Sequence, residues 1–129
     1  DEAVIRSMEE FYDQGIKPDW WKLPPAKSEF AWSQIGKVIV ERDPHCRGVV
    51  MLGLNAPIDE LIADFAYGAT SPVCKGFAVG RTLFHDAAKA WFCGDINDQQ
   101  AKEMIATNYQ GLLNAWRDLR RAEPIQRAI

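Results

Sequence analysis

The sequence contains few of the residues that build metal sites and disulfide frameworks. Its 129 residues include three cysteines and two histidines, and none of them falls into a CxxC or HExxH spacing. Widely spaced cysteines without a framework suit a reducing compartment, so we expect a cytoplasmic protein. We expect neither a bound metal nor a cofactor.

Long apolar runs and an excess of basic residues are also missing. No uninterrupted apolar stretch approaches the roughly 20 residues that a membrane-spanning helix requires. The formal net charge is -3, whereas nucleic-acid-binding domains usually carry an excess of positive charge. We therefore expect no membrane partner and no nucleic-acid partner.

The sequence does contain a regular succession of helical and strand patterns. Apolar residues recur at helical spacing in five segments, and three short apolar runs are typical of strands. The predicted strands are residues 18–23, 48–54 and 73–80. The predicted helices are residues 4–14, 28–43, 57–68, 82–92 and 98–119. The predicted order is a helix, then strand and helix three times, then a final helix.

This order predicts an α/β fold with a parallel sheet. The strand starts lie about 25 to 30 residues apart, close to the length of one strand-helix unit. Apolar runs without alternation, such as "GVVMLGL", are expected in strands covered on both faces. Three such strands leave two unpaired edges, which two architectures would explain. One is a small open α/β domain, and the other is the end of a (β/α)8 barrel, whose full length is about 250 residues.

The segment "KPDWWKLPP" at residues 17–25 places Lys22 among tryptophans and prolines. Lys22 lies near the carboxyl end of its predicted strand, where ligands bind in parallel α/β folds. Desolvation disfavours the ammonium form, and a neutral amine can attack a carbonyl to form an imine. Lys22 is therefore a candidate Schiff-base lysine. Alternatively, its aliphatic stem packs on tryptophan while the ammonium group reaches solvent.

A second candidate site lies in "GFAVGRTLF". Gly80 ends a predicted strand and Thr82 begins a helix, and such a turn presents unpaired N–H groups that favour an anion. Gly80 allows close approach of the backbone, and Arg81 adds a guanidinium group. We predict a phosphate site here. The alternative is a tight turn beside a surface arginine.

Further residues of the predicted site follow the second strand. Gly53 and Asn55 leave the same end of the sheet, and we assign Gly53 to phosphate binding. Asn55 either binds a substrate hydroxyl group or caps the next helix. Lys75 comes early in its strand, at the opposite end, and we expect it to have a structural or solvent-facing role.

Three stretches, "GIKPDWWKL", "ERDPHCRGVVMLGLNAP" and "VCKGFAVGRTLFHDAAKAW", resemble the C-terminal part of the aldolase family of myo-inositol catabolism. In that family the aldolase domain is often fused behind a sugar-kinase domain. "AVGRTLF" is also similar to the phosphate-binding end of class I sugar-bisphosphate aldolases. The resemblance implies that residues 1–129 form one C-terminal fragment of an aldolase-like TIM barrel. Strands six to eight would then carry Lys22, "VVMLGLNAP" and Gly80-Arg81 in turn.

The resemblance also implies a reaction. It is the retro-aldol cleavage of 6-phospho-5-dehydro-2-deoxygluconate to dihydroxyacetone phosphate and malonate semialdehyde, with Lys22 forming the imine. The expected partners are a phosphorylated sugar acid and either further copies of the chain or the remainder of the parent barrel. Related aldolases often carry an acidic residue two positions after the lysine, where this chain has Pro24, so the proton-transfer group is unassigned. The competing hypothesis is a non-catalytic phosphosugar-binding or assembly module attached to a carbohydrate kinase.

Overall fold

The computed structural model describes residues 1–122, in which five helices and three strands follow one another in the predicted order. The helices are α1 (Glu2–Asp13), α2 (Glu29–Arg42), α3 (Ile58–Thr70), α4 (Arg81–Phe92) and α5 (Asp98–Ala122). The strands are β1 (Trp21–Leu23), β2 (Val49–Met51) and β3 (Cys74–Phe77). Two helix ends show the expected local chemistry. Ser28 accepts a hydrogen bond from the Ala31 N–H at 3.1 Å, and Gly15 follows α1 with a φ of 79°.

The three strands form one parallel sheet with β2 at its centre. Lys22 pairs with Val50, and Val50 pairs with Gly76, so these three residues lie in one row across the sheet. The register shifts between the Val49 and Val50 pairs. Lys75 is the extra residue at this bulge, because Val49 pairs with Cys74 and Val50 with Gly76.

The hydrophobic core lies between the sheet and the helices. Right-handed crossovers between neighbouring parallel strands place the connecting helices on the same face. Four residues of the strands are buried against them, namely Leu23, Val49, Met51 and Cys74. Phe65 of α3 stacks on Phe77 of β3 with ring centroids 4.9 Å apart, and Trp116 of α5 meets Phe65 edge to face at 5.6 Å. The last helix thus closes the core over α3 and β3.

The prediction of an α/β fold made of the last three strands of a (β/α)8 barrel is wrong. The described chain is a mostly helical domain, with 62% of its residues in helices and an open three-stranded sheet. The strands contain only three or four residues each. The spacing of strand-helix units is the same in an open sheet and in a closed barrel, so it did not indicate whether the sheet closes into a barrel.

The expectation that the strands are covered on both faces is also wrong for residues 1–122. The face opposite the helices carries the row of Lys22, Val50 and Gly76. Lys22 is exposed, and Val50 and Gly76 are only half-buried. A Cβ atom added at Gly76 would meet no heavy atom within 4 Å. Within the described chain, this face of the sheet is open.

Helix α1 supports the edge strand β1 through aromatic side chains. The indole Nε1 of Trp21 donates a hydrogen bond to the Tyr12 hydroxyl oxygen at 2.8 Å, and Phe11 lies beside the same indole ring. Burial raises the pKa of the Tyr12 phenol. Trp21 therefore points towards α1, and Lys22, its neighbour, points to the opposite face.

Among residues 1–122, no helix combines the length and the hydrophobicity needed to cross a lipid bilayer.

Gly48 is the position where the sheet tolerates a side chain least. Its φ is 131°, and a Cβ atom there would lie 2.5 Å from the Val73 carbonyl oxygen. We expect Gly48→Ala to lower the free energy of unfolding by about 3 kcal/mol, because it adds backbone strain to a clash. Urea denaturation followed by circular dichroism measures this change.

The matched control is Gly111→Ala in α5, where an added Cβ atom meets nothing within 4 Å. Alanine should raise the stability there by about 1 kcal/mol, because glycine is a poor helix former. Equal effects of the two substitutions would contradict the tight contact at Gly48.

The buried thiol of Cys74 makes stability depend on alkaline pH. Burial raises its pKa to about 11, above the roughly 8.5 of an exposed thiol. Above pH ~8.5 the unfolded state loses this proton and the folded state keeps it, so up to about 3 kcal/mol of stability is lost as the pH rises to about 11. Denaturation curves at a series of pH values should show a shallower loss for Cys74→Ala.

Cys93 is exposed, so Cys93→Ala should keep the slope of the unmodified chain. If Cys74→Ala loses stability as steeply as the unmodified chain, the Cys74 thiol is not the group responsible.

Candidate functional site

The candidate site lies at the carboxyl edge of the sheet. All three strands run in the same direction, so the segments after Leu23, Met51 and Phe77 emerge side by side. The hydrogen-bond ladder continues one residue beyond the strands. The Leu52 N–H donates to the Leu23 carbonyl oxygen at 2.9 Å, and the Ala78 N–H donates to the Met51 carbonyl oxygen at 2.8 Å. The backbone at this edge is therefore fixed in position.

The amino terminus of α4 opens onto this edge. Gly80 is the N-cap residue and no side chain caps the helix. Within the described chain, the N–H groups of Arg81 and Thr82 have no hydrogen-bond acceptor. Unpaired N–H groups and the positive end of a twelve-residue helix dipole favour an anion at this position. No acidic residue lies in the first turn of α4, so no side chain of that turn competes for it.

The loop after β2 is packed tightly against the start of α4. A Cβ atom at the buried Gly53 would lie 2.8 Å from Val79 and 3.3 Å from the hydroxyl oxygen of Thr82. The Thr82 hydroxyl donates to the Ala56 carbonyl oxygen at 2.9 Å. Gly53 therefore allows the two loops to meet, and Thr82 holds them together.

Two consecutive residues of the same loop have left-handed backbones. Leu54 has a φ of 50° and Asn55 a φ of 62°. Asparagine adopts this conformation readily, but leucine does so at a cost of about 1 kcal/mol or more. Leu54 is also 66% exposed, so burial does not offset that cost. Backbone strain of this kind concentrates at functional sites.

Asn55 does not cap α3, so this alternative is wrong. The N-cap residue is Pro57, and the helix has no side-chain cap. The Asn55 side chain instead borders a cleft of about 390 Å³ between the starts of α3 and α4. The cleft is lined by Asn55, Ala56, Pro57, Ile58, Arg81, Thr82, His85, Asp86 and Asn108.

The cleft contains hydrogen-bond donors that we did not predict from the sequence. His85 lies one helical turn after Arg81, so both side chains are on the same side of α4. Asn108 of α5 reaches the cleft and donates to the Leu83 carbonyl oxygen at 2.9 Å. The spacing of Arg81 and His85 within one predicted helix could have predicted that His85 lies beside Arg81. No pattern in the sequence predicted that Asn108 lies in the cleft.

Lys22 borders a different depression from Arg81. It lines a groove of about 350 Å³ beside α1 and the edge of β1. Its side chain is exposed, so residues 1–122 alone do not build the desolvated surroundings expected for it. The structure thus brings Asn55 and Arg81 into one cleft, with Gly80 at the start of α4 and Gly53 packed behind it. Two strand spacings, roughly 10 Å, separate the backbone of Lys22 from that of β3.

Lys75 serves the structure at the other end of the sheet, as expected. Its amine donates to the Pro72 carbonyl oxygen at 2.6 Å, and its aliphatic stem covers Gly48. No group of three or more histidine, cysteine, aspartate or glutamate side chains in residues 1–122 is placed to hold a metal ion.

The fold and the cleft define a small, mostly helical domain whose candidate ligand site lies at the carboxyl edge of a parallel sheet. The family described as "Uncharacterized protein conserved in bacteria (DUF2090)" matches residues 1–120. The chain therefore belongs to this family. No curated protein and no solved structure matches the chain.

The contact between Thr82 and Ala56 gives a test of how the cleft is held. Thr82→Val keeps the shape of the side chain but removes the hydrogen bond to the Ala56 carbonyl oxygen. We expect a loss of about 1 kcal/mol in the free energy of unfolding. Chemical denaturation measures it.

Thr70→Val is the matched control, because the Thr70 hydroxyl also donates to a backbone carbonyl oxygen, that of Tyr67, but in an exposed place within α3. Its effect should be within about 0.5 kcal/mol of zero. A loss at Thr82 no larger than that at Thr70 would show that the hydroxyl does not hold the two loops together.

Proposed function

We propose that this chain carries the imine-forming lysine and the phosphate site of a class I aldolase. The proposed reaction is the cleavage of 6-phospho-5-dehydro-2-deoxygluconate to dihydroxyacetone phosphate and malonate semialdehyde, in myo-inositol catabolism. The nucleophile is Lys22, and the phosphate lies at Gly80 and Arg81. The proposed location is the cytoplasm.

One observation carries the proposal. Parallel pairing brings Lys22 to the same end of the sheet as the turn at Gly80 and the loop at Gly53. These segments are separated by 26 or more residues in the sequence. The separation of roughly 10 Å between the outer strands suits a phosphorylated sugar that reaches both groups at once.

The proposed chemistry divides between the two groups. The Lys22 amine attacks the substrate carbonyl, water leaves, and the resulting imine accepts the electron pair that is released when the carbon-carbon bond breaks. The phosphate group is bound by the unpaired N–H groups of α4 and by Arg81, and it orients the substrate carbonyl towards the amine. Asn55 donates a hydrogen bond to a substrate hydroxyl group.

The exposure of Lys22 favours a second candidate function. The amine borders a groove that is separate from the cleft of Arg81 and His85. A non-catalytic phosphosugar-binding module, attached to a carbohydrate kinase, would need the cleft and not the amine. Such a module would bind the phosphate through Arg81 and leave Lys22 unmodified.

Reductive trapping distinguishes the two functions. Incubation with dihydroxyacetone phosphate and borohydride should leave a covalent adduct on Lys22, because borohydride reduces the imine to a stable secondary amine. Peptide mapping by mass spectrometry locates the adduct. Lys22→Arg should abolish it, and Arg81→Gln should reduce it by about tenfold through weaker phosphate binding.

The matched control is Lys75→Arg, because Lys75 is another exposed lysine of the same sheet. It should leave the adduct on Lys22 unchanged. If dihydroxyacetone phosphate binds and depends on Arg81 but no adduct forms on Lys22, the chain is a binding module and not an aldolase.

A further inference from the structure

We propose that the cavity between the loops after β1 and β2 binds the hydroxyl-bearing carbons of a phosphorylated sugar, and that Lys27 and Asp64 bind the hydroxyl groups. This inference rests on the proposed function, because it takes the phosphate group to lie at Arg81. It assigns a binding site to a part of the structure that neither the imine nor the phosphate group uses.

The cavity has a volume of about 520 Å³ and lies at the carboxyl edge of the sheet. Its walls are formed mainly by residues 24–27 after β1, by Gly53, Leu54 and Ala56 after β2, and by the amino-terminal parts of α1 and α3. Ligands of parallel α/β folds bind at this edge, and pockets of roughly 300 to 1,000 Å³ are typical of small-molecule sites. The cavity therefore has the position and the size of a ligand site.

The cavity adjoins both the cleft of Arg81 and the groove of Lys22. Ala56 lines the cavity and also the cleft. Val4 and Pro24 line the cavity and also the groove. A sugar whose phosphate group lies in the cleft can therefore extend its carbon chain past Ala56 into the cavity.

Two side chains of opposite charge meet in the wall of the cavity. The Lys27 ammonium group donates a hydrogen bond to the Asp64 carboxylate, and the two side chains are 64% and 15% exposed. The Lys27 N–H donates to both carboxylate oxygens of Asp1 at 3.3 Å, which holds the loop that carries Lys27. An ammonium group has several donors and a carboxylate several acceptor positions, so the pair can bind hydroxyl groups in addition to each other.

Much of the remaining wall is apolar. A few polar groups that converge on an apolar wall are typical of a small-molecule site. The hydroxyl groups of a sugar can reach the ion pair while its C–H groups contact the apolar residues. These residues are Val4, Pro24, Pro25, Ala26, Ile35, Leu54 and Ala56.

The charge of the cavity favours uncharged hydroxyl groups over a second anion. The exposed carboxylates of Asp1 and Glu60 line it together with Asp64, and Lys27 is the one cationic side chain among the lining residues. Carboxylates accept hydrogen bonds from hydroxyl groups and repel another carboxylate. The phosphate group therefore stays in the cleft, and a sugar acid places its carboxylate outside the cavity.

Isothermal titration calorimetry with two phosphate compounds tests the inference. Sorbitol 6-phosphate carries a chain of hydroxyl-bearing carbons, and methyl phosphate carries no hydroxyl-bearing carbon. We expect sorbitol 6-phosphate to bind about tenfold more tightly, because hydrogen bonds to charged groups contribute at least that factor. Lys27→Met and Asp64→Ala should each weaken its binding by about tenfold and leave methyl phosphate unchanged. Arg81→Gln should weaken the binding of both compounds.

Lys37→Met is the matched control, because Lys37 is a lysine with a 63% exposed side chain that pairs with Glu41 on α2, outside the cavity. It should leave both affinities unchanged. Lys27→Arg keeps a charged donor and should retain most of the binding of sorbitol 6-phosphate. Lys27→Met decides the test if Asp64→Ala does not fold.

The outcomes separate the inference from the function on which it rests. If Arg81→Gln weakens the binding of sorbitol 6-phosphate and the Lys27 and Asp64 variants do not, the inference fails while the phosphate site stands. The same holds if the unmodified chain binds both compounds equally well. If the Lys27 and Asp64 variants weaken both compounds equally, the ion pair acts on the shape of the cleft, and the inference is overturned. If neither compound binds to the unmodified chain, the inference and the proposed phosphate site both fail.

Discussion

The central strand β2 supports every other feature of this protein. The Trp21 N–H donates to the Gly48 carbonyl oxygen at 3.0 Å on one side, and the Val49 N–H donates to the Val73 carbonyl oxygen at 2.8 Å on the other. Gly48 allows the neighbouring strands to come this close to β2, because a side chain at this position would collide with the backbone of Val73. With strands of three or four residues, the sheet has few such bonds. Their loss would separate the edge strands and the loops that follow them.

This arrangement gives the two faces of the sheet different roles. One face of the sheet packs on helices, where Met51 and Cys74 are buried and Phe77 contacts Phe65 of α3 and Trp116 of α5. The other face keeps Lys22, Val50 and Gly76 accessible in the described chain. Stability therefore comes from one side of each strand, and the proposed chemistry uses the other. Alternation along the strand is what permits a single residue, Lys22, to be exposed between the packed Trp21 and Leu23.

Under the proposed function, the cleft at the start of α4 and the amine on β1 set different requirements for the same ligand. The cleft offers unpaired N–H groups, Arg81 and His85, which are suited to a phosphate group. In the proposed aldolase, the amine would require a carbonyl group at a distance of about two strand spacings from the phosphate. In the described chain the amine is exposed, so an imine at Lys22 would form in contact with water. The proposed aldolase therefore requires the ligand itself, or a further protein surface, to exclude water from the open face.

The sequence by itself determined the type and order of the elements, because periodicities of 3.6 and of two residues, together with Gly15 and Ser28 at helix ends, are local properties. It also indicated that Lys22, Gly53 and Gly80 leave one edge of a sheet. Only the tertiary structure decided that the sheet is open and covered on one face. The sequence of an apolar strand has the same pattern whether the strand faces a helix, a barrel interior or an uncovered surface. Contacts between residues distant in the sequence also decided three details of the site. Leu54 has a left-handed backbone, Asn55 does not cap α3, and Asn108 lies in the cleft.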